Sequence, residues 1–350
     1  MRVMDTWTRS SGLDGSGADM SEDDHRGRVA PAGFPAVARL RFRLRALDPI
    51  ELPEYAGSAW RGRLGHGLRR TVCVTRRPTC AGCLLTHACC YSLLFETPPP
   101  PGHDSAGFSA LPHPYVLDID PRAPRRHAAG DHLDLGITLL GTAGDQAPYL
   151  IHALTSAGQL GIGRDHGRFM VAALLRESAP GSDTWVQVYD PATGQYQRQP
   201  AAPLDPPSPP ASAATRLHLS TPLRIKRDGH FTAPREFTLT DLFHPLYIRL
   251  QRLAALYGGQ PQPFEWSRAA PLMDALALHD CRLRWHDWTR YSSRQGSLMQ
   301  LGGLLGELTI QGPALAEVWP VLWAGQWTHV GKGTAFGLGA YRLAAVDAPA

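Results

Sequence analysis

Two tandem α+β domains, each with the element order β-α-β-β-α-β, are what this 350-residue sequence predicts. Three observations lead there. A Pro/Ala/Ser-rich segment, Arg198 to Ala214, divides the chain. Strand and helix periodicities recur in the same order on both sides of it. Each side also places a glycine-rich turn between its second helix and its last strand. That order is the ferredoxin-like arrangement, here used twice.

In the first half, residues 36–47 alternate Leu40, Phe42 and Leu44 with Arg39, Arg41, Arg43 and Arg45, the period of a strand. Gly57 to Val72 carries Trp60, Leu64, Leu68 and Val72 at four-residue spacing, which predicts a helix. Strands are expected near 113–119 and 132–141, a helix over 148–158, then the turn Gly161-Ile162-Gly163 and a strand over 169–176. The second half repeats the order. It has a strand at 216–225, a helix at 241–257 with Leu242, Leu246, Leu250 and Leu253 on one side, and strands at 282–288 and 304–311. A helix at 314–323 and a final strand at 340–345 follow. The expected organisation is a disordered leader (1–33), a first ferredoxin-like domain (34–197) with a cysteine-rich insertion (73–90), a semi-rigid linker (198–214) and a second such domain (215–350).

With 43% hydrophobic and 19% charged residues, the composition is that of a globular chain. No run of 18 apolar residues exists, so no membrane-spanning helix is expected. The polar leader lacks an apolar stretch, which argues against a secretory signal and for a cytoplasmic protein. Net charge is +4, and 33 of the 35 cations are arginine, Lys226 and Lys332 being the exceptions. Genome composition accounts for much of that bias, although arginine also suits phosphate forks and base stacking.

Near the C-terminus, Gly331, Gly333, Gly337 and Gly339 surround Lys332, Thr334 and Phe336, with Trp327 and His329 just before them. Glycines admit positive φ and close backbone approach, and successive N–H groups in such turns form an anion-binding concavity. Lys332 adds a mobile charge and Phe336 a face on which a base can stack. The plain alternative is a bulged turn between helix and strand. The spacing is not that of a P-loop or of a dinucleotide fingerprint.

The run His329-Val330-Gly331-Lys332-Gly333-Thr334-Ala335-Phe336-Gly337-Leu338-Gly339-Ala340-Tyr341 resembles the C-terminal signature of the CRISPR precursor-RNA processing endoribonucleases of the RAMP superfamily. Residues 221–226, 287–295 and 301–306 agree with it, as do residues 57–70 and the clustered cysteines that follow. Ala340 departs from the pattern, which would have an arginine there, and the proline-rich segment is unusually long. The resemblance implies two ferredoxin-like domains and metal-independent cleavage of CRISPR repeat RNA within the precursor transcript. In that reaction the ribose 2′-OH is the nucleophile, leaving a 2′,3′-cyclic phosphate and a 5′-OH on the way to mature guide RNA. A non-cleaving RAMP subunit that holds guide RNA in an interference complex, with other CRISPR subunits as partners, is the alternative. A protein unrelated to RNA, with a zinc-stapled loop, is a third reading.

Such a reaction needs a base, an acid and cations for the phosphorane charge. On the helical wheel His66 falls opposite the apolar stripe, beside Gly62, Arg63, Arg69 and Arg70, and the family places its histidine in or near the first helix. His66 is therefore the candidate base, against the alternative of an ordinary surface histidine. Tyr55 is the candidate ribose-orienting group or acid, with Lys332 and Arg294 for transition-state charge. Arg61, Arg63, Arg69, Arg70, Arg290, Tyr291, Ser293, Arg294, His329 and the loop residues Gly331, Gly333, Thr334, Phe336, Gly337 and Gly339 are the expected RNA contacts. His329 is also the rival histidine, unless it packs under Trp327.

Five of the six cysteines lie between positions 73 and 90. Cys80-x2-Cys83 is a tight pair of the kind zinc sites use, and Cys73 with Cys89 or Cys90 would complete a thiolate set, with His87 a substitute ligand. A structural zinc ion held by Cys73, Cys80, Cys83 and Cys89 is the expectation, an iron–sulfur cluster and free thiols the alternatives.

Overall fold

The computed structural model describes residues 34–100, 111–258, 266–292 and 297–346. The leader lies outside these. The first half opens on β1 (Val37–Ala46) and α1 (Gly57–Val72), followed by β2 (Tyr115–Asp118), β3 (His132–Leu140), α2 (Ala147–Leu160) and β4 (Phe169–Glu177). Two strands that the periodicity did not reveal, β5 (Trp185–Asp190) and β6 (Gln195–Tyr196), extend the sheet. All pairs are antiparallel, in the order β2-β3-β1-β4-β5-β6. The first four strands in that order are the ferredoxin-like sheet.

The second half contributes β7 (Ala214–Leu223), α3 (Leu239–Leu253), α4 (Trp266–Asp274), β8 (Ala277–His286), the hairpin β9 (Thr289–Ser292) and β10 (Ser297–Gln300), β11 (Gly303–Gln311), α5 (Leu315–Thr328) and β12 (Tyr341–Ala345). Its main sheet runs β8-β11-β7-β12, the same order as in the first half. Helix α3 starts two residues earlier than its leucine spacing suggested, because Thr238 and Asp241 form a capping box that nucleates the first turn. Helix α4 adds to the predicted order, and the hairpin falls where residues 290–295 were expected as either an RNA grip or a solvated hairpin rim.

Strand alternation decides which face of each sheet is dry. Leu40, Phe42 and Leu44 are buried under Trp60, Leu64 and Leu68 of α1 and the apolar side of α2. Each such side chain contributes about 1.5–3 kcal/mol on burial. The arginines between them must then lie on the other face. Contact between the helices is close enough that a Cβ on Gly67 would sit 2.2 Å from the Ala153 carbonyl oxygen.

Residues 198–214, expected as a semi-rigid linker, are fixed along much of their length. Val37 and Ala202 exchange backbone hydrogen bonds of 2.7 and 2.8 Å, and the Trp319 indole donates to the Pro207 carbonyl at 2.7 Å. The Arg176 guanidinium donates to the carbonyls of Gln199 and Pro200, and Leu204 is buried in the core of the second half. An extended proline-rich chain exposes carbonyls without a ladder partner, and these donors satisfy them.

Candidate active site

The glycine loop follows directly from the end of α5. Gly331, Gly333, Gly337 and Gly339 all have positive φ, between 71° and 88°. At Gly339 the requirement is absolute, since a Cβ would lie 1.8 Å from the Val330 carbonyl oxygen. The loop is stitched to the end of β7. Lys332 donates its backbone N–H to Arg224 at 2.8 Å, and Gly339 donates to Pro222 at 3.0 Å. The Thr221 hydroxyl donates to the Gly337 carbonyl at 2.8 Å and accepts from the Ala340 N–H at 2.9 Å. These bonds explain why the segment Thr221-Pro222-Leu223-Arg224 and the glycine run belong together in one sequence signature.

Across the molecule the same loop grips α1. The Phe336 carbonyl accepts a hydrogen bond from the Tyr55 hydroxyl. The Arg61 guanidinium lies 4.7 Å above the Phe336 ring, and Ala335 enters the core of the first half. The first helical residue, Gly57, sits so close that a Cβ would come within 2.0 Å of the Phe336 carbonyl oxygen. Tyr55 also stacks on Trp288, with ring centroids 4.0 Å apart and planes 9° apart. Loop and helix are therefore joined by contacts that span both halves.

This geometry redistributes the sequence candidates. Tyr55 is 4% exposed with its hydroxyl engaged, and burial, helped by Asp118, pushes its phenol pKa far above the usual range. It is a clamp between the halves, contrary to the expected role as an acid or ribose contact. His329 is likewise corrected, because it is 2% exposed. Burial pushes its imidazole down to about 3, against the opposing pull of Asp118, so it is a neutral core group and not an RNA contact. Thr334, Gly337 and Gly339 are buried and serve the loop's own packing. Lys332 is exposed and Gly331, Gly333 and Phe336 half-buried, so the reachable part of the loop is its leading edge.

On α1 the arginines divide. Arg61 turns inward to Phe336, Phe95 and His113. Arg69 donates to the carbonyls of Arg77 and Pro78 and so organises the insertion, where the sequence suggested an RNA contact. Arg63 and Arg70 remain on the outward side with His66, which is exposed. The Arg63 guanidinium lies 2.6 Å from Nδ1 of His166, which brings a second imidazole to this side of the helix. The glycines flanking His66 have packing reasons: Gly65 faces Phe95 and Gly67 faces Ala153, while only Gly62 looks into open space. Arg290 and Tyr291 belong to β9, whose backbone alone is described, and Ser293 and Arg294 lie outside the described residues.

The arginine faces of the two sheets meet at a cleft of about 1580 Å³, lined by Arg39, Arg41, Arg43, Arg284 and Arg342 together with His132 and His218. Arg39 is buried at its floor, paired with Glu177 and, at 2.7 Å, with Asp118, and lies 4.6 Å from the Trp327 ring. Burial opposes the ionised form of Asp118, but Arg39 and Arg342 more than offset it and hold its carboxyl below the ordinary value. Arg41 stacks 3.8 Å over Trp185. The alternating arginines of β1 were the available signal for this surface, and the sequence reading used them only to assign a strand.

Residues 217–341, which carry the loop and its β7 anchor, match the family model of the CRISPR-associated endoribonuclease Cas6. The second half is that of a CRISPR-associated endoribonuclease. Residues 34–201 match a second model, the AF_1859_N N-terminal domain. Two solved structures share the fold of this chain. One is Thermus thermophilus Cas6 in a product complex, 17% identical with a TM-score of 0.50, covering 88% of this chain and 98% of that one. The other is a partial Cas6-RT-Cas1–Cas2 complex, 14% identical with a TM-score of 0.52, covering 90% of this chain and 47% of that one. No curated protein matches the chain. Among the described residues no helix is long and apolar enough to cross a membrane.

Helix α1 runs directly into the cysteine-rich insertion. Cys73 caps the helix by donating its N–H to Arg69, and Cys73, Cys80, Cys83, Cys89 and Cys90 all line one cavity of about 330 Å³. Among the described residues no three potential ligands yet converge on one point closely enough to hold an ion.

Proposed function

We propose that this endoribonuclease binds CRISPR repeat RNA and cuts it within the precursor transcript by transesterification, without a catalytic metal ion. His66 takes the proton of the ribose 2′-OH, whose oxygen bonds to the adjacent phosphorus as the bond to the 5′-oxygen breaks. The products are a 2′,3′-cyclic phosphate, a 5′-OH and the mature guide RNA. The leaving 5′-oxygen takes up a proton from water on this exposed side of the helix, where His166 lies beside the Arg63 guanidinium. Lys332, Arg63 and Arg70 supply positive charge for the phosphorane.

One observation carries this reading. The helix that displays His66, Arg63 and Arg70 outward is clamped by its first turn to the loop that displays Lys332. Along the helix His66 stands about 7.5 Å beyond Arg61, which touches the loop, so one RNA strand spans both groups. The arginine cleft between the sheets is the surface for the rest of the repeat, its phosphates meeting Arg41 and Arg43. A Cas6 in an assembly with Cas1 and Cas2 shares the fold, which supports other CRISPR proteins as further partners of this chain.

His66→Ala is the test. Single-turnover cleavage of the repeat should fall by at least about 100-fold with RNA affinity kept within a few-fold. Cleavage at the wild-type rate would remove His66 from the mechanism.

A further inference from the structure

The insertion is ordered without a hydrophobic core of its own. Of residues 73–90 only Cys90 is buried, whereas Leu84 is 98% exposed and Val74 is 76% exposed. The segment has no strand or α-helix, so neither a ladder nor apolar burial repays the entropy of fixing it. Its half-buried side chains are Cys73, Cys80, Cys83, Thr86 and Cys89, the inward positions where a small domain would put leucines. No disulfide joins the cysteines. Other ties are peripheral: Arg69 holds the Arg77 and Pro78 carbonyls, Arg77 holds Gly82, and the Thr86 hydroxyl holds Cys80 and Cys83.

The backbone already has the shape a thiolate site needs. Cys83 donates its N–H to the Cys80 carbonyl at 3.1 Å, and Gly82 between them takes a φ of 64°, closing a Cys-x-x-Cys turn. The Thr75 hydroxyl lies 3.8 Å from the Cys73 sulfur and 3.7 Å from the Cys83 sulfur, so these two flank a single group. Cys80 and Cys89 line the same cavity. Cys90 points into the core of the first half and is excluded as a ligand, and His87 is exposed.

We propose that Cys73, Cys80, Cys83 and Cys89 bind one zinc ion as a tetrahedral thiolate site that orders the insertion. Side-chain rotations draw the four sulfurs from the walls of the cavity to about 2.3 Å from the ion, and metal binding and ordering occur together. Four thiolates could also take an iron–sulfur cluster, whose visible spectrum separates it from a colourless zinc site. The role is structural and independent of the cleavage mechanism. The ion fixes the C-terminal end of α1 through Cys73 and Arg69, and the following turn, Ser92–Glu96, whose Phe95 packs on Gly65 beside His66.

The full chain, expressed with zinc in the medium and purified reduced and without chelator, should carry about one zinc per chain by elemental analysis. Cys80→Ser and Cys83→Ser should each fall below about 0.2 equivalents, while Cys90→Ser and Cys281→Ser keep the full content. In the wild type, adding zinc to stripped protein should remove four thiols from reaction with a thiol reagent, and cobalt(II) should give thiolate charge-transfer absorption. The thiol count needs no variant, so misfolding of a serine variant leaves the test intact. Less than about 0.2 equivalents of zinc both as purified and after anaerobic reconstitution would overturn the proposal. So would undiminished zinc in Cys83→Ser, or the visible spectrum of an iron–sulfur cluster.

Discussion

The Tyr55 hydroxyl donates to the Phe336 carbonyl, joining the residue just before α1 to the glycine loop across 281 positions of sequence. Tyr55 stacks at the same time on Trp288. A residue that sequence logic placed in the chemistry is thereby the rivet between the two halves.

Removing that hydroxyl separates the two roles. Tyr55→Phe keeps the stack and should cost about 1 kcal/mol of unfolding free energy, whereas Tyr55→Ala should cost about 3–5 kcal/mol. Cleavage by Tyr55→Phe should stay within a few-fold of wild type. Denaturant titration and single-turnover kinetics check this. A loss of two orders of magnitude in rate with unchanged stability would restore Tyr55 as a chemical group.

Two glycines of α1 should respond with opposite signs. Gly62 meets nothing within 4 Å, so Gly62→Ala should raise stability by about 0.5–1 kcal/mol through helix propensity. Gly57→Ala drives a methyl into the Phe336 carbonyl and should be destabilising by about 1–3 kcal/mol. Thermal or denaturant unfolding of both variants decides it, and equal effects would contradict the described contact between helix and loop.

Acid should weaken the fold before any carboxylate is protonated. Burial holds His329 down at about 3, and burial with Arg61 and Arg249 holds His113 down at about 4, against 6.5 for a free imidazole. Below pH 6.5 the unfolded chain takes up protons that the folded one refuses, so stability falls as pH falls, until the folded values are reached. Each group contributes a slope of up to about 1.4 kcal/mol per pH unit. His329→Asn, whose side chain tolerates the positive φ of 57° there, should flatten the loss between pH 6.5 and 5. An unchanged slope would show that the imidazole is not buried neutral.

Lys332 is the loop's exposed cation, its backbone tied to Arg224. Lys332→Ala should leave stability within about 0.5 kcal/mol and reduce the salt slope of RNA binding by about one phosphate contact. An unchanged slope would detach the loop from the RNA.

Most of the architecture was legible because it rests on periodicity. The arginine–leucine alternation of β1, the Trp60-Leu64-Leu68 stripe and the leucines of α3 each follow from having one buried face. Strands β5 and β6 were not, since their residues alternate poorly and take their place only as additions to a sheet edge. The site was harder to read. Helical spacing put His66, Arg63, Arg69 and Arg70 on one outward side, but nothing local to the sequence could show that Arg69 is spent on the insertion, Arg61 on Phe336, or Tyr55 on the joint between halves. The Arg61 and Tyr55 assignments are made by contacts across more than 270 positions, and the Arg69 one by carbonyls of an irregular loop eight and nine residues on.

The chemistry itself is read most directly from the ends it leaves. Repeat RNA incubated with the full chain in excess EDTA, with both product termini mapped, should show cleavage that leaves a 2′,3′-cyclic phosphate upstream and a 5′-OH downstream. Cleavage that fails in EDTA and returns with magnesium, or leaves a 3′-OH and a 5′-phosphate, would contradict the account.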